Sequence, residues 1–327
     1  MIANPENTEK IGVVLLNLGG PEKLADVEPF LFNLFSDRQI IRLGPWFMQK
    51  FIARRIARKR APISMESYKL IGGGSPLKKT TTAQGAALEK MLSGQGSFNV
   101  TMAMRYWSPF AAETLAELSG KGITRLVALT LYPHYSIATS GSSIDDLKKA
   151  AARSSVDFEI AEIDSWPDQE DYVACLAENI KAGMEQFGAE PVQLVYSAHS
   201  LPVKFIEEGD PYLKHMDRTI KALEARTGVK GKLCFQSRSG PVEWLTPSTP
   251  EMIKELAADG CRNILMVPIS FVSDHVETLY EIDILYRDQA KELGVRLERV
   301  ESLNVQDRFI RGLEKLVLDA CREKNWL

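Results

Sequence analysis

Short apolar runs rich in Val, Ile and Leu recur along the chain and alternate with longer stretches of helical period. Such runs are typical of strands buried on both faces, and their alternation with helices predicts parallel sheets covered on both sides. The predicted strands are 11–17, 98–104, 125–131 and 158–163 in a first set, and 192–198, 231–236, 263–269 and 295–301 in a second. Two sets of four favour an α/β protein of two similar doubly wound halves, each a four-stranded parallel sheet flanked by helices, over one eight-stranded barrel.

This pattern divides the chain into an N-terminal half at residues 10–157, a C-terminal half at 158–304 and a final helix at 305–327. A length of 327 residues agrees with two domains of about 100–200 residues each. The average composition, with 45% hydrophobic and 25% charged residues, argues against a disordered chain, a fibre or a disulfide scaffold. The net charge of −3 lacks the basic excess of a nucleic-acid-binding protein, so we expect no nucleic acid partner.

Several features bear on the compartment of the protein. The first ten residues are polar and lack the basic start and apolar stretch of a secretory signal. No segment approaches the run of about 18 apolar residues that a membrane-spanning helix needs. The four cysteines are too far apart in sequence to suggest a zinc or iron–sulfur site or a disulfide ladder. We therefore expect a reduced, soluble, cytoplasmic protein.

Polar and aromatic segments follow most of the predicted strands. They are NLGGP, RYW and YPHYS in the first half, and SAHSLP, QSRSGPVEW and SFVSDHVETLYEID in the second. Because open parallel sheets bind ligands beyond the carboxyl ends of their strands, these segments predict one cleft between the two halves.

The segment 38–65 is basic, with eight Lys or Arg residues and no Asp or Glu. Met48, Ile52 and Ile56 recur every four residues in it, which predicts a basic amphipathic helix. Two interpretations stay open. The segment is either a surface helix that docks on its own domain, or a lip that contacts a membrane surface or anionic groups of a substrate.

The four histidines differ in their sequence context. His215 belongs to a charged amphipathic helix and is most simply a surface residue, whereas His134 follows a strand and either lines a pocket or bonds the backbone. His199 and His275 lie just past buried strands of the second half. An imidazole there, with an unperturbed pKa of about 6.5, suits proton acceptance. The alternative for His199 is a core histidine bonded to the backbone.

A row of acidic residues surrounds His275. Its members are Asp274, Glu277, Glu281 and Asp288, at i, i+3, i+7 and i+14, which predicts that they share one helix face. Asp274 and Glu277 also have the spacing of an N-terminal capping box. Like charges at i,i+4 destabilise a helix, so a row leading from a cleft is better suited to receiving a cation. Carboxylates with the imidazole of His275 or His199 suit a weakly bound first-row divalent metal.

Taken together, the motifs resemble the ferrochelatase family, the enzymes that insert ferrous iron into a porphyrin in haem synthesis. The resemblance covers nearly the whole chain through NLGGP, FLFNLFSDR, IGGGSPL, AMRYW, LYPHYS, SAHSLP, CFQSRSGPVEWLTPST and VPISFVSDHVETLYEID. It implies two similar four-stranded parallel domains, with the C-terminal helix at 305–327 packing back on the first.

The resemblance also implies roles for individual residues. His199 and Glu277 match the family's catalytic and metal-binding residues, with Asp274, His275 and Glu281 behind them as an acidic path. The residues that match porphyrin contacts are Leu18, Arg60, Tyr68, Ser75, Arg105, Tyr106 and Trp244. In the mechanism that we expect, His199 accepts a pyrrole proton while Glu277, on the opposing wall, strips water from Fe²⁺ or passes protons outward.

The expected reaction inserts Fe²⁺ into protoporphyrin IX to give protohaem and two protons. The apolar residues of the lip, Trp46, Phe47, Met48 and Phe51, favour this substrate. No organic cofactor is expected, because the macrocycle supplies the ligands and no redox change is needed. Some relatives hold an iron–sulfur cluster through cysteines near the C-terminus, but Cys321 stands alone there, so we expect none. Residues 45–60 match a lip that meets the membrane in some members, which suggests peripheral contact at the inner membrane face.

Three alternatives remain at this point. The substrate could be coproporphyrin III, or the protein could carry a tetrapyrrole or metal without catalysis. A third alternative, a chelatase that uses cobalt and a more carboxylated tetrapyrrole, fits the apolar lip less well.

Overall fold

The strands form two four-stranded sheets in the computed structural model, which describes residues 10–238, 240 and 242–327. Two parts of the chain lie outside the described residues. They are 1–9, from the segment in which no secretory signal is predicted, and 239 and 241 of the QSRSGPVEW segment. The first sheet contains β1 (Ile11–Asn17), β2 (Phe98–Met104), β3 (Arg125–Thr130) and β4 (Glu159–Ile163). The second contains β5 (Gln193–His199), β6 (Gly231–Gln236), β7 (Asn263–Pro268) and β8 (Arg296–Arg299).

Both sheets have the same topology. Their strand orders are β2-β1-β3-β4 and β6-β5-β7-β8, and every neighbouring pair is parallel. The predicted fold class is therefore confirmed. In each sheet the second strand is added on one side of the first strand and the third strand on the other side. The topological switch points therefore lie between β1 and β3 and between β5 and β7. These are the places where open parallel sheets bind ligands.

The predicted boundary between the halves, after residue 157, is wrong at one strand. β4 pairs with β3 from Arg125↔Glu159 to Leu129↔Ile163, so it completes the first sheet although it lies beyond that boundary. The grouping of 158–163 with the first set of strands is thus confirmed, and only the boundary placed before this strand is wrong.

The helices that cover the sheets are α1 (Val27–Ser36), α2 (Gln49–Leu70), α3 (Leu77–Leu92), α4 (Ala111–Gly120), α5 (Ser142–Ala151), α6 (Glu170–Glu185), α7 (Val203–Glu207), α8 (Tyr212–Thr227), α9 (Thr249–Ala258), α10 (Arg287–Glu292) and α11 (Asp307–Glu323). Two segments wind as π-helices, a short one at Ile137–Gly141 and a long one at Glu277–Tyr286. In the part of the chain that the structure describes, no helix combines the length and the apolar character needed to cross a bilayer.

The central strands are buried on both faces, and successive side chains enter different cores. Val13 and Leu15 of β1 join a core that spans both halves, whereas Val14 and Leu16 point into a separate core under α4 and α5. The shared core also contains residues of α6, α8 and α11. α11 packs against α3, β3 and β4 of the first half as well as against α6.

The lip consists of α1 and α2 with the loop between them. α2 turns its small residues Ala53, Ala57 and Ala61 toward α1, which allows the two helices to pack closely. The predicted basic helix is present as α2, and these alanines belong to its buried face. Phe47 and Phe51 are exposed to solvent, at 69% and 64%, because the alanines rather than the large apolar residues face the domain.

Candidate active site

A cleft of about 870 Å³ opens at the carboxyl ends of both sheets. Its first wall comes from α1, α2 and the loops after β1 and β3, and its second wall comes from the loops after β5 and β7 and from the long π-helix. The volume lies within the range of small-molecule sites, about 300–1,000 Å³. The cleft that the strand ends predicted is thus present, and it is shared by the two halves.

His199 and Glu277 form the centre of the second wall. His199 is the last residue of β5, and its Nδ1 lies 2.8 Å from Oε2 of Glu277 at the start of the long π-helix. Backbone contacts fix the histidine further, since its N–H donates to Ser270 Oγ and its carbonyl accepts from the Tyr212 hydroxyl. The two residues are therefore a hydrogen-bonded pair on one wall, and the expectation that Glu277 faces His199 from the opposing wall is wrong.

The pair changes the pKa of each partner. Burial alone would lower the pKa of His199, but the charge of Glu277, its hydrogen bond and the charge of Glu281 raise that pKa above its ordinary value. Burial would likewise raise the pKa of Glu277, but the His199 charge and hydrogen bond hold it well below the usual carboxyl range. A carboxylate that orients an imidazole in this way makes the imidazole more basic.

Glu281 lies behind the pair and shares one hydroxyl with it. Ser237 Oγ is 2.7 Å from Glu277 Oε2 and 2.6 Å from Glu281 Oε2. Because a serine hydroxyl has a single proton to donate, the second short contact requires a proton on one of the carboxyl groups. Burial and the charge of Glu277 raise the pKa of Glu281, which assigns the proton to that residue.

Gln236 and the backbone of Ser237 complete this arrangement. The Gln236 amide donates to Glu281 Oε2 at 3.0 Å and to the Glu277 carbonyl at 2.9 Å. Ser237 has a φ of +65°, a left-handed conformation that is uncommon outside glycine and that often occurs at functional sites. The loop after β6 therefore contributes to the site as much as the two segments singled out by their histidines.

His275 is a neutral imidazole held in one orientation. Its Nδ1 lies 3.0 Å from the Ser273 carbonyl, which can only accept, so Nδ1 carries the proton and Nε2 keeps its lone pair. Burial lowers the pKa of His275, although nearby Glu277 opposes this. The Phe271 ring packs on it with the centroids 4.3 Å apart.

The acidic row does not lie on one face. Asp274 precedes the long π-helix and does not line the cleft. Its carboxylate accepts hydrogen bonds from Asn304 and Ser302 and forms an ion pair with Arg299. Asp288 is exposed on α10. A π-helix has a wider turn than an α-helix, so the 3.6-residue period used for the prediction does not apply. Of the predicted acidic path, Glu281 and His275 are at the cleft and Asp274 is not.

Five of the predicted porphyrin contacts line the cleft. They are Leu18, Arg60, Tyr68, Ser75 and Trp244. The Arg60 guanidinium lies 5.6 Å from the centre of the Phe35 ring. Burial, with a smaller contribution from the charge of Glu277, raises the pKa of the Tyr68 phenol. Glycine is needed beside Ser75, because a Cβ at Gly20 would lie 2.6 Å from that of Ser75.

Comparison with known proteins gives the family. The family model described as Ferrochelatase matches residues 10–321. The ferrochelatase of Desulfotalea psychrophila is 59% identical over 309 residues, which cover 94% of this chain and 97% of that one. The ferrochelatase of Geotalea uraniireducens is 53% identical over 312 residues, with 94% and 97% covered. The chain belongs to the ferrochelatase family. It is an enzyme of haem synthesis that inserts iron into a porphyrin, with Fe²⁺ as a substrate and no organic cofactor implied.

Solved structures agree on the fold. SirB from Bacillus subtilis with Fe³⁺ has a TM-score of 0.57 at 12% identity, covering 97% of this chain and 98% of that one. The sirohydrochlorin chelatase SirB from Bacillus subtilis subspecies spizizenii, in complex with cobalt, has a TM-score of 0.56 at 11% identity, with 96% of each chain covered. At these identities the likeness shows the fold alone.

Two predicted porphyrin contacts, Arg105 and Tyr106, lie behind the cleft instead. Both bond Asp37, with Arg105 Nη2 at 2.8 Å and the Tyr106 hydroxyl at 2.7 Å, and neither lines the cleft. The backbone N–H of Tyr106 donates to the Leu18 carbonyl, so the AMRYW segment supports the wall from behind. The Ser142 hydroxyl also donates to Asp37, at 2.6 Å.

The remaining histidines have separate surroundings. His134 lines the cleft but is only 2% exposed, and its Nε2 bonds the Thr219 hydroxyl at 2.8 Å. His215 accepts a hydrogen bond from the Tyr135 backbone through Nδ1, so it is part of the contact between the halves rather than a free surface residue. Cys321 is a buried free thiol in α11.

Sequence reasoning missed three side chains of the site: Ser237, Gln236 and Phe271. Each belongs to a segment already noted after a strand, namely QSRSGPVEW and SFVSDHVE. Their residue types gave no signal, because a serine or glutamine at a strand end is more often part of a turn. The pairing of β6 with β5 places Gln236 beside His199 and brings Ser237 with it, and the pairing of β7 with β5 brings Phe271 to the same edge.

Proposed function

We propose that this protein inserts Fe²⁺ into protoporphyrin IX, with His199 as the base that removes a pyrrole proton and Glu277 as its partner. The observation that carries the proposal is the 2.8 Å contact between His199 Nδ1 and Glu277 on the wall of a cleft large enough for a flat ligand. A free porphyrin must lose two N–H protons before a divalent ion can occupy its centre.

The geometry suits His199 for the first proton. The contact of Nδ1 with an ionised carboxylate assigns the hydrogen to Nδ1, so Nε2 holds the lone pair that accepts a proton. The negative charge of Glu277 then stabilises the imidazolium that forms. A general base of this kind typically contributes about 10²–10⁴-fold to a rate.

Ser237 and Glu281 provide an exit for protons in this proposal. The 2.7 Å and 2.6 Å contacts of Ser237 Oγ form a continuous hydrogen-bonded chain from His199 through Glu277 to Glu281. The same His199–Glu277 pair offers an imidazole and a carboxylate to Fe²⁺. Two protein ligands leave coordination positions open, and the pyrrole nitrogens take these positions as the metal is transferred.

The first wall supports protoporphyrin IX as the porphyrin. It presents a group of apolar side chains together with a few cations. The apolar group is Phe30, Leu31, Leu34, Phe35, Ile40 and Ile41, and the cations are Arg38, Arg42 and Arg60. Two propionates have cations available for pairing, while the uncharged vinyl groups suit the apolar surface. Coproporphyrin III would place further carboxylates against that surface, which is costly unless each finds a partner.

The exposed lip supports peripheral contact with a membrane. Trp46, Phe47 and Phe51 are 78%, 69% and 64% exposed, and basic residues of α2 lie beside them. Large aromatic side chains next to Lys and Arg are the features by which interfacial helices bind anionic bilayers. We assign this contact to residues 45–60, at the inner face of the membrane.

The catalytic assignment is tested with His199→Ala. We expect porphyrin binding to persist and multiple-turnover metallation, with Fe²⁺ under anaerobic conditions or with Zn²⁺, to fall by at least about a hundredfold. His215→Ala is the matched control, because it removes a histidine away from the cleft. Undiminished metallation by a folded His199→Ala protein would place the chemistry elsewhere.

The substrate and the lip are tested separately. Wild-type kcat/KM should be higher for protoporphyrin IX than for coproporphyrin III, and the reverse order would overturn the substrate assignment. For the lip, Phe47→Ser with Phe51→Ser should abolish sedimentation with anionic phosphatidylglycerol vesicles. Leu70→Ser, at an exposed position at the other end of α2, should not. Equal sedimentation of both variants would refute the membrane contact.

A further inference from the structure

The loop at residues 37–44, between α1 and the turn that precedes α2, supplies a large part of the first wall. Four of its residues line the cleft: Arg38, Ile40, Ile41 and Arg42. The loop has no strand or helix to hold it. Its shape therefore depends on side chains that bond its backbone. In the part of the chain that the structure describes these are Asp37, Gln49 and Arg38, whose Nη1 donates to the Gly44 carbonyl at 2.9 Å.

Gln49, the first residue of α2, makes the larger set of these bonds. Its side-chain Nε2 donates to the carbonyls of Phe35 at 2.8 Å and Ile41 at 2.9 Å. Its Oε1 accepts from the Leu43 backbone N–H at 3.0 Å and from Arg38 Nη1 at 3.1 Å. Gln49 is only 3% exposed, so these four bonds exhaust both its donors and both acceptor positions of its oxygen.

Asp37 holds the beginning of the loop. Its Oδ1 accepts from the Gln39 backbone N–H at 2.8 Å, while its Oδ2 is held by Arg105, Tyr106 and Ser142. Asp37 thus fixes the loop to the rest of the first half. Among the hydrogen bonds of the described residues, those of Gln49 join the loop to α2, and one of them comes from Arg38, a cation of the cleft.

A buried glutamine in the first turn of a helix has no role in starting that helix, since it accepts no bond from the free N–H groups there. A carboxylate could not replace it, because it has no hydrogens for the Phe35 and Ile41 carbonyls. An aliphatic side chain would leave the Phe35 and Ile41 carbonyls and the Leu43 N–H without the bonds that Gln49 gives them. The Arg38 guanidinium would keep its bond to the Gly44 carbonyl but lose the one to α2. The requirement for both donors and acceptors is therefore specific to an amide.

We propose that Gln49 is a positioning residue for the porphyrin: it sets the conformation of loop 37–44 and the direction of the Arg38 guanidinium. The role rests on the proposed function, in that the cleft binds the porphyrin. Gln49 contacts neither His199 nor Glu277, so it acts on porphyrin binding and leaves the proton-transfer machinery unchanged.

The test is the isosteric variant Gln49→Glu, compared with Gln95→Glu at an exposed turn. We expect Gln49→Glu to raise KM for the porphyrin at least about tenfold, while kcat at saturating porphyrin and KM for the metal stay within about twofold of wild type. Gln95→Glu should leave all three unchanged. Gln49→Met introduces a side chain of similar volume without an amide and should raise KM for the porphyrin in the same way. It is the variant to measure if Gln49→Glu does not fold.

Other outcomes overturn the proposal. A fall in kcat at unchanged KM would show that Gln49 acts on the chemical step, and unchanged kinetics would show that the loop does not need it. Loss of the fold in both variants would assign Gln49 to folding instead. If wild type prefers coproporphyrin III, the proposed substrate is wrong, but the KM effect of Gln49 can still be measured on that porphyrin.

Discussion

Acidification should destabilise the protein through one buried imidazole, that of His134. Thr219 donates its own hydroxyl to the Pro167 carbonyl, so its oxygen accepts from His134 and the proton of the neutral imidazole lies on Nε2. Burial, with a smaller contribution from the charge of His215, lowers the pKa of His134 from 6.5 to about 3. The folded protein thus keeps this residue neutral at pH values where the unfolded chain protonates it.

The sign and size of the effect follow from this difference. A base whose folded pKa is depressed contributes stability that is fully present above pH 6.5 and is lost as the pH falls toward 3. Each pH unit within this window costs about 1.4 kcal/mol, so a change from pH 7 to about pH 5 removes about 2 kcal/mol. This is a large share of the total for a protein stable by about 5–15 kcal/mol.

The comparison that isolates His134 uses His134→Gln. Glutamine does not titrate, and its Nε2 can still donate to Thr219. Urea unfolding of both proteins at several pH values between 7 and 5 gives the free energy of unfolding of each. We expect wild type to lose about 2 kcal/mol more than the variant over this range. Parallel losses in the two proteins would refute the reasoning and assign the acid sensitivity to other groups.

Three further changes test the site and the lip. Glu277→Gln removes the charge that raises the His199 pKa, so the acid limb of kcat/KM against pH should move to lower pH; an unmoved limb would contradict the pairing. Ser237→Ala removes a hydrogen bond to the ionised Glu277, worth about 1.5–3 kcal/mol, together with the bond to Glu281, and should lower kcat by about tenfold or more in steady-state assays; wild-type kcat would exclude a role in proton exit. Ala57→Leu overpacks the contact of α2 with α1 and should cost about 1–3 kcal/mol in urea unfolding. The exposed Lys59→Leu is its control, and an equal cost in both would contradict the packing argument.

The strands were predictable because burial on both faces produces an unambiguous signal. All eight begin and end within two residues of the predicted positions. His199 and Glu277 could be assigned for a related reason. His199 ends β5 and Glu277 lies in the segment after β7, and the carboxyl ends of these two central strands meet at one edge of the sheet.

What escaped prediction was the direction in which side chains point. Arg105 and Tyr106 follow β2 as the motif suggested, but both bond Asp37, which lies 68 and 69 residues earlier in the chain, and they do not reach the cleft. Asp274 has the right spacing from Glu277, yet its carboxylate accepts hydrogen bonds from Asn304 and Ser302 outside the cleft. Long-range polar partners leave no periodic trace in a sequence.

The two halves use one topology for two kinds of chemistry. In each, the third strand of the half is followed by a π-helix that runs directly into an α-helix, α5 in the first and α10 in the second. The short π-helix contains Ser, Thr and Gly and closes within five residues, whereas the long one extends for ten and begins with Glu277. Glu277 and Glu281, four positions apart on the long π-helix, both reach Ser237 Oγ. The duplicated fold thus supplies the cleft, and the extended π-helix in one half alone makes that cleft asymmetric, with acids on one wall and apolar and basic side chains on the other.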